Sequence, residues 1–162
     1  MIEIIFLDVD GCLTNGKITY NESGELFKAF DVKDGYAIES WLKLGKKVAI
    51  ITGRSSQIVE KRAEDLKITH VYQGVSDKLE VAKEILKFEG LELSNAAAIG
   101  DDYNDFKLLN AVAWSFKPKD AIKALEVKTK LKHKGGKGAV REMIELIIKE
   151  QNLFDEWSKR WL

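Results

Sequence analysis

The chain has 162 residues, 45% hydrophobic and 32% charged, enough to bury a core and consistent with a single domain over 1–162. Twenty-six Lys and Arg balance 26 Asp and Glu, so charge points to no nucleic acid or membrane surface as partner. A single cysteine, Cys12, excludes an internal disulfide and suits a reducing cytoplasm. No apolar run approaches the roughly 20 residues that span a bilayer, and residues 1–9 lack the basic leader of a secretory signal.

The first predicted element is a strand ending in Asp8. Ile2, Ile4, Ile5, Phe6, Leu7 and Val9 form the nearly continuous apolar run of a strand buried on both faces. It stops at Asp8 and Asp10, which alternate onto one side of an extended backbone, with Gly11 permitting a sharp turn. Such a pair is either an ordinary strand-ending turn or two carboxylates that need a cation. Residues 16–30 read as a β-hairpin turning at 21–24. Ile18, Tyr20, Leu26, Phe27 and Phe30 give it more apolar surface than an isolated hairpin tolerates, so it packs on a second copy of the chain or folds back on its own domain.

Asp34 is expected to cap a helix over 35–44 whose Ile38, Trp41, Leu42 and Leu44 face inward. A second buried strand over 47–51 ends in Thr52-Gly53-Arg54, and Ser55 or Ser56 opens a helix with Ile58, Val59, Ala63 and Leu66 inside. A third strand, 70–73, precedes a helix capped by Asp77, with Glu80 as its capping-box partner. Lys78 in that helix's first turn opposes the macrodipole, a placement that makes sense if an anion sits there. A fourth strand, 96–99, ends in the acidic run Gly100-Asp101-Asp102-Tyr103-Asn104-Asp105. A fifth strand over 112–116, a helix from Pro118 to Leu125, a short edge strand near Val127, a glycine-rich turn at 135–138 and a helix marked by Val140, Met143, Ile144, Ile147 and Ile148 complete the pattern. The tail, 151–162, carries Trp157 and Trp161 and either covers its own core or docks on a neighbouring subunit's active site.

Alternating strands and helices imply an α/β doubly wound, Rossmann-like parallel sheet of five to six strands with the hairpin as an insertion. Right-handed crossovers place every strand-end loop on one edge of such a sheet, where ligands bind. The groups collected there are Asp8 and Asp10, Thr52, Lys78, and Asp101, Asp102 and Asp105. Cys12 is a small buried thiol, and His70 and His133 have no ligand-like spacing.

In this order, D-x-D-G, T-G-R, lysine and G-D-D-x-x-D resemble the four signature segments of the haloacid dehalogenase superfamily of phosphohydrolases. The resemblance implies Asp8 as nucleophile, through an aspartyl-phosphate, and Asp10 as acid and base to the leaving group and water. Thr52, Gly53 and Lys78 would contact the phosphoryl group. Mg²⁺ would be held by Asp8, the Asp10 carbonyl and Asp101, with Asp102 and Asp105 behind them. A response-regulator receiver also groups Asp, Thr and Lys around Mg²⁺, yet it leaves Asp10 unexplained.

The first insertion is only the hairpin, and 54–78 leaves room for one helix and one strand, so no cap domain is expected. LDVDGCLT with the hairpin, F-D-V-K-D-G-Y at 30–36, ITGR with Arg62, VYQG-x-x-DK and GGKGAVRE at 135–142 resemble one uncapped family, the 3-deoxy-D-manno-octulosonate 8-phosphate phosphatases of lipopolysaccharide precursor synthesis. Lys33 stands where arginine is expected at least as often. The family implies a homotetramer formed through the hairpin and a sugar-phosphate substrate, with Arg54 and Arg62 as contacts to its carboxylate; each arginine could instead serve a surface ion pair, and Arg62 an interface. The glycines at 135–138 could let backbone approach the sugar. Two alternatives share these segments: a phosphatase of a nine-carbon sugar-acid phosphate, and a noncatalytic tetramerisation scaffold, which should lack an acid at position 8 or 10.

Overall fold

The structure is a computed structural model that describes residues 1–159. Trp161, which the predicted tail includes, and the side chain of Leu26 in the predicted hairpin lie outside the described residues. Six parallel strands, β1 (Ile4–Leu7), β4 (Lys47–Ile51), β5 (His70–Tyr72), β6 (Ala96–Ile99), β7 (Trp114–Lys117) and β8 (Thr129–Lys130), stand in the order β5-β4-β1-β6-β7-β8. The apolar run of β1 takes a central position because both its faces are covered. Ile5 and Leu7 pack with helices α1 (Val32–Lys43), α2 (Gln57–Asp65) and α5 (Ala139–Glu150). Ile4 and Phe6 pack with α3 (Lys78–Glu89) and α4 (Phe106–Ala111) on the other face. Asp8 follows directly, its N–H donating to the Ile99 carbonyl at 3.3 Å. Strands β2 (Thr19–Asn21) and β3 (Gly24–Phe27) form a separate antiparallel pair, the predicted hairpin.

The turn after β1 is built around glycine. Gly11 has φ +93°, and a Cβ there would stand 1.9 Å from Asp101 Oδ2. The glycine-rich turn docks on the same segment. A Cβ on Gly135 would be 1.8 Å from the Gly11 carbonyl oxygen, and the Gly136 N–H donates to the Cys12 carbonyl at 3.0 Å. Those glycines let the backbone pack closely on the segment that follows Asp10, at Gly11 and Cys12.

Several local expectations are corrected. Helix α1 starts at Val32 and is capped by Asp31, whose Oδ1 accepts from the Lys33 and Asp34 N–H groups at 2.7 and 3.3 Å. Asp34 instead reaches across to α5, accepting from the Arg141 N–H at 2.8 Å; two acids three residues apart can exchange these tasks, and only packing decides between them. Ser56 sits at the cap position of α2, but its hydroxyl donates to Glu25. Asp77 caps α3 as expected, while the Glu80 carboxylate accepts from Lys83 at 2.7 Å in place of a capping box. The helix expected from Pro118 to Leu125 is a run of turns. The buried Lys117 ammonium donates to the carbonyls of Ile122, Lys123 and Leu125, drawing inward groups that a helix would bond along its axis. The fifth strand begins at Trp114, and β8 lies two residues beyond Val127.

The tail turns at Asn152, whose φ is +57°, and re-enters the fold as α6 (Phe154–Ser158). Trp157 is buried in its own chain, its Nε1–H donating to Ser40 Oγ at 2.8 Å while Arg141 stacks over its ring at 5.4 Å. Through Lys159 the tail covers its own core with Trp157, the first of the two readings of the tail.

Candidate active site

Every strand end named from the sequence reaches one cleft of about 270 Å³, bordered by Asp8, Asp10, Thr52, Gly53, Arg54, Asp101 and Asp102, with Gly16 and Asn104 completing the wall. Its floor is buried. Lys78, the first residue of α3, points back along the helix axis and donates to Asp8 Oδ1 at 2.7 Å and to Asp105 Oδ1 at 2.5 Å. Its side chain is 2% exposed and those of its partners 6% and 3%, so the anions that its odd helix position called for are the chain's own carboxylates. Burial works against the Lys78 charge, but Asp8 and Asp105 outweigh it and raise its pKa. Asp105 also anchors the acidic loop, its Oδ2 accepting from the N–H groups of Asp101 at 2.9 Å and Asp102 at 3.3 Å. Asp102 is exposed at the rim and caps the Tyr103 N–H at 2.7 Å.

One ammonium faces three carboxylates here. Burial is the largest influence on Asp8 and lifts its pKa to about 6, with Lys78 restraining the rise. Burial, followed by the charges of Asp8 and Asp105, lifts Asp101 to about 7. Ligand atoms of Asp8, Cys12 and Asp101 lie within 4.8 Å of one another. Burial and the neighbouring acids push the Cys12 thiol well above its ordinary range, so it stays protonated and the usable donors are hard carboxylate oxygens. That donor set, short of positive charge, fits a divalent cation such as Mg²⁺ better than a thiolate-seeking metal.

Asp10 has different surroundings. Its Oδ1 accepts from Lys28 Nζ at 2.6 Å, and Arg54 Nε approaches its Oδ2 at 4.0 Å. Lys28 also pairs with Glu25 at 3.2 Å, Glu25 accepts from Ser56 Oγ at 2.5 Å, and Arg54 donates to the Tyr20 hydroxyl at 2.7 Å. The hairpin thus reaches two residues of the cleft, Asp10 and Arg54, from within its own chain. Sequence reasoning missed Lys28, although a lone cation between Phe27 and Ala29-Phe30 was a visible signal. It also missed Asn104 at the rim.

Arg62 is not brought into the cleft. It lies in a larger groove of about 570 Å³ with Phe30, Lys61 and Asp65, into which Lys28 also opens, and its guanidinium stands 5.5 Å from the centre of the Phe30 ring. His70 pairs with Glu89 and His133 with Glu142, both away from the carboxylates.

The chain is similar to known proteins in sequence and in fold. A family profile described as haloacid dehalogenase-like hydrolase matches residues 68–133. The 3-deoxy-D-manno-octulosonate 8-phosphate phosphatase KdsC of Escherichia coli K12 is 40% identical over 159 residues, covering 96% of this chain and 84% of that protein. The same phosphatase from Moraxella catarrhalis, solved with magnesium, phosphate and KDO, superposes with a TM-score of 0.95 at 39% identity, covering 99% of this chain and 94% of the other. The cobalt-bound enzyme from Haemophilus influenzae gives a TM-score of 0.89 at 36% identity over 93% of this chain and 90% of its own. With this sheet, this cleft and relatives matched over nearly its full length, the chain belongs to the 3-deoxy-D-manno-octulosonate 8-phosphate phosphatases, an uncapped family of the haloacid dehalogenase-like hydrolases.

Proposed function

We propose that this chain is a Mg²⁺-dependent phosphomonoesterase that hydrolyses 3-deoxy-D-manno-octulosonate 8-phosphate to the free sugar acid and phosphate, a step in lipopolysaccharide precursor synthesis. The observation that carries the chemistry is the Lys78 ammonium bonded at once to Asp8 and Asp105 on the floor of an otherwise acidic cleft. Lys78 occupies Asp8 Oδ1 and leaves the other oxygen to attack phosphorus. The ester bond to the sugar oxygen breaks as the aspartyl-phosphate forms, and Asp10 gives that oxygen a proton. Asp10 then takes a proton from the water that attacks the aspartyl-phosphate, and phosphate leaves. Thr52, Gly53 and Lys78 contact the phosphoryl oxygens, and Asp105 with Asp102 holds the acidic loop and Lys78 in place. When held by the Asp8 and Asp101 carboxylates and the Asp10 carbonyl, Mg²⁺ supplies the positive charge that three carboxylates and one lysine lack.

Arg54 at the cleft is suited to the sugar's carboxylate, and the Arg62 groove beside Lys28 to its far end or to a subunit contact. A homotetramer joined through the hairpin is supported by its exposed apolar side chains, Tyr20 and Phe27 at 58% each, beside Val32 at the start of α1, 79% exposed. The free, buried Cys12 is compatible with the cytoplasm, and no helix among the described residues is long and apolar enough to cross a membrane.

Turnover of a panel of sugar phosphates with Mg²⁺ tests the reading: the eight-carbon acid phosphate should exceed hexose phosphates and the nine-carbon acid phosphate in kcat/KM. A preference for the nine-carbon substrate would reassign it, and a monomer in sedimentation would remove the hairpin interface.

A further inference from the structure

We infer that Lys28 is a positioning residue for Asp10, so that the hairpin belongs to the proton-transfer machinery as well as to the outer surface. The inference rests on the proposed role of Asp10. At the end of β3, Phe27 and Ala29 are exposed while Lys28 between them is buried, its side chain only 1% exposed. A lysine on a surface hairpin would ordinarily lay its stem on apolar surface and keep its ammonium in water. This one buries the charge against two carboxylates, Asp10 at 2.6 Å and Glu25 at 3.2 Å. Glu25 is braced by the Ser56 hydroxyl at the start of α2, whose N–H is held in turn by Gln73 Oε1 at 2.8 Å. A continuous set of polar contacts therefore runs from the main fold through the hairpin to Asp10.

The consequence for chemistry is specific. An ion pair on Oδ1 restricts the Asp10 side chain to one orientation and leaves Oδ2 as the oxygen that exchanges protons with the leaving group and the water. Arg54, at 4.0 Å from Oδ2, is too distant to hold that orientation alone. Lys28 touches neither the phosphoryl group nor the nucleophile Asp8; it acts through Asp10.

Lys28→Met keeps the length of the side chain and removes the charge. With saturating Mg²⁺, kcat on 3-deoxy-D-manno-octulosonate 8-phosphate should fall about 10- to 100-fold, within the range by which a placed acid or base accelerates a reaction, while KM moves less than about threefold. With 4-nitrophenyl phosphate, whose leaving group departs without a proton, stopped flow should show a burst of nitrophenolate at the wild-type rate followed by slow turnover, because only hydrolysis of the aspartyl-phosphate still needs Asp10. Lys28→Arg should recover part of kcat. Loss of the burst in step with sugar-phosphate turnover would mean a merely structural role and overturn the inference, as would kcat within about twofold of wild type. Asp10→Asn separates the two readings: if it turns over the sugar phosphate normally, the role of Asp10 falls, whereas a slow Asp10→Asn beside a normal Lys28→Met removes only Lys28. Should Lys28→Met not fold, Glu25→Gln decides, with a smaller fall in kcat and an intact burst expected and unchanged kinetics overturning the inference.

Discussion

The two acids that end the first strand, Asp8 and Asp10, lie two residues apart and occupy opposite regimes. Asp8 belongs to the carboxyl edge of the sheet, where Lys78 and Asp105 come from α3 and the loop after β6, and its side chain is 6% exposed. Asp10 faces the hairpin, 20% exposed, held by a lysine that itself shares a second acid. In the first region too little positive charge serves too many carboxylates, and burial raises both Asp8 and Asp101. In the second, two cations flank one carboxylate that water still reaches. A nucleophile must be fixed and desolvated, whereas a proton carrier must meet both a leaving group and a water. The difference between the regions suits the division of labour proposed for the two acids.

The contrast breaks first at the nucleophile. Asp8→Asn should lower turnover of every phosphate ester by at least roughly 10³-fold, because no other group can accept the phosphoryl. Burst and steady state should vanish together, and residual activity of a tenth of wild type would end the assignment. A second comparison uses stability. Lys78→Met leaves Asp8 and Asp105 buried without their cation and should cost about 3–5 kcal/mol, lowering Tm by roughly 10 °C. Lys28→Met leaves Asp10 and Glu25, whose side chains are 20% and 16% exposed, within partial reach of water and should cost only about 1–2 kcal/mol. Equal losses by calorimetry would show that the two sides are not electrostatically different.

Asp34 sharpens the same comparison as a buried acid on which no lysine sits. It caps α5 through Oδ1, its Oδ2 finds no hydrogen-bond partner among the described residues, and burial, followed by the opposing Arg141 N–H bond, leaves its pKa raised to about 6. A carboxyl that is harder to ionise folded than unfolded binds its proton more tightly in the native state. Its contribution is therefore complete below the unfolded value of 3.8 and is lost as pH rises through about 6. Urea unfolding of Asp34→Asn should lack this decline, and wild type should lose about 1–2 kcal/mol relative to it between pH 4 and 7. Parallel pH curves would refute the account.

Much of the fold was legible because its signals are local. The apolar runs of β1, β4 and β6 and the inward stripe of α5 recur where periodicity put them. Expectations failed where a side chain serves an element distant in sequence. Asp34 left its own helix for α5, Ser56 left its cap for Glu25, and Lys117 turned the carbonyls of 118–125 away from a helix. No periodicity encodes such choices.

For the site, sequence by itself determined which groups stand at strand ends, since strand length and the alternation of side chains place Asp8, Thr52, Lys78 and Asp101 on one edge without reference to packing. Only the tertiary structure decided how the charges are shared: that Lys78 bridges Asp8 and Asp105, that Lys28 crosses from the hairpin to Asp10, that Arg62 stays in a separate groove and that Trp157 is held by its own core. The reason is physical. Strand ends follow from local hydrophobic pattern, whereas the pairing of buried charges depends on which oxygen lies within hydrogen-bonding distance, and that distance exists only once the chain has closed on itself.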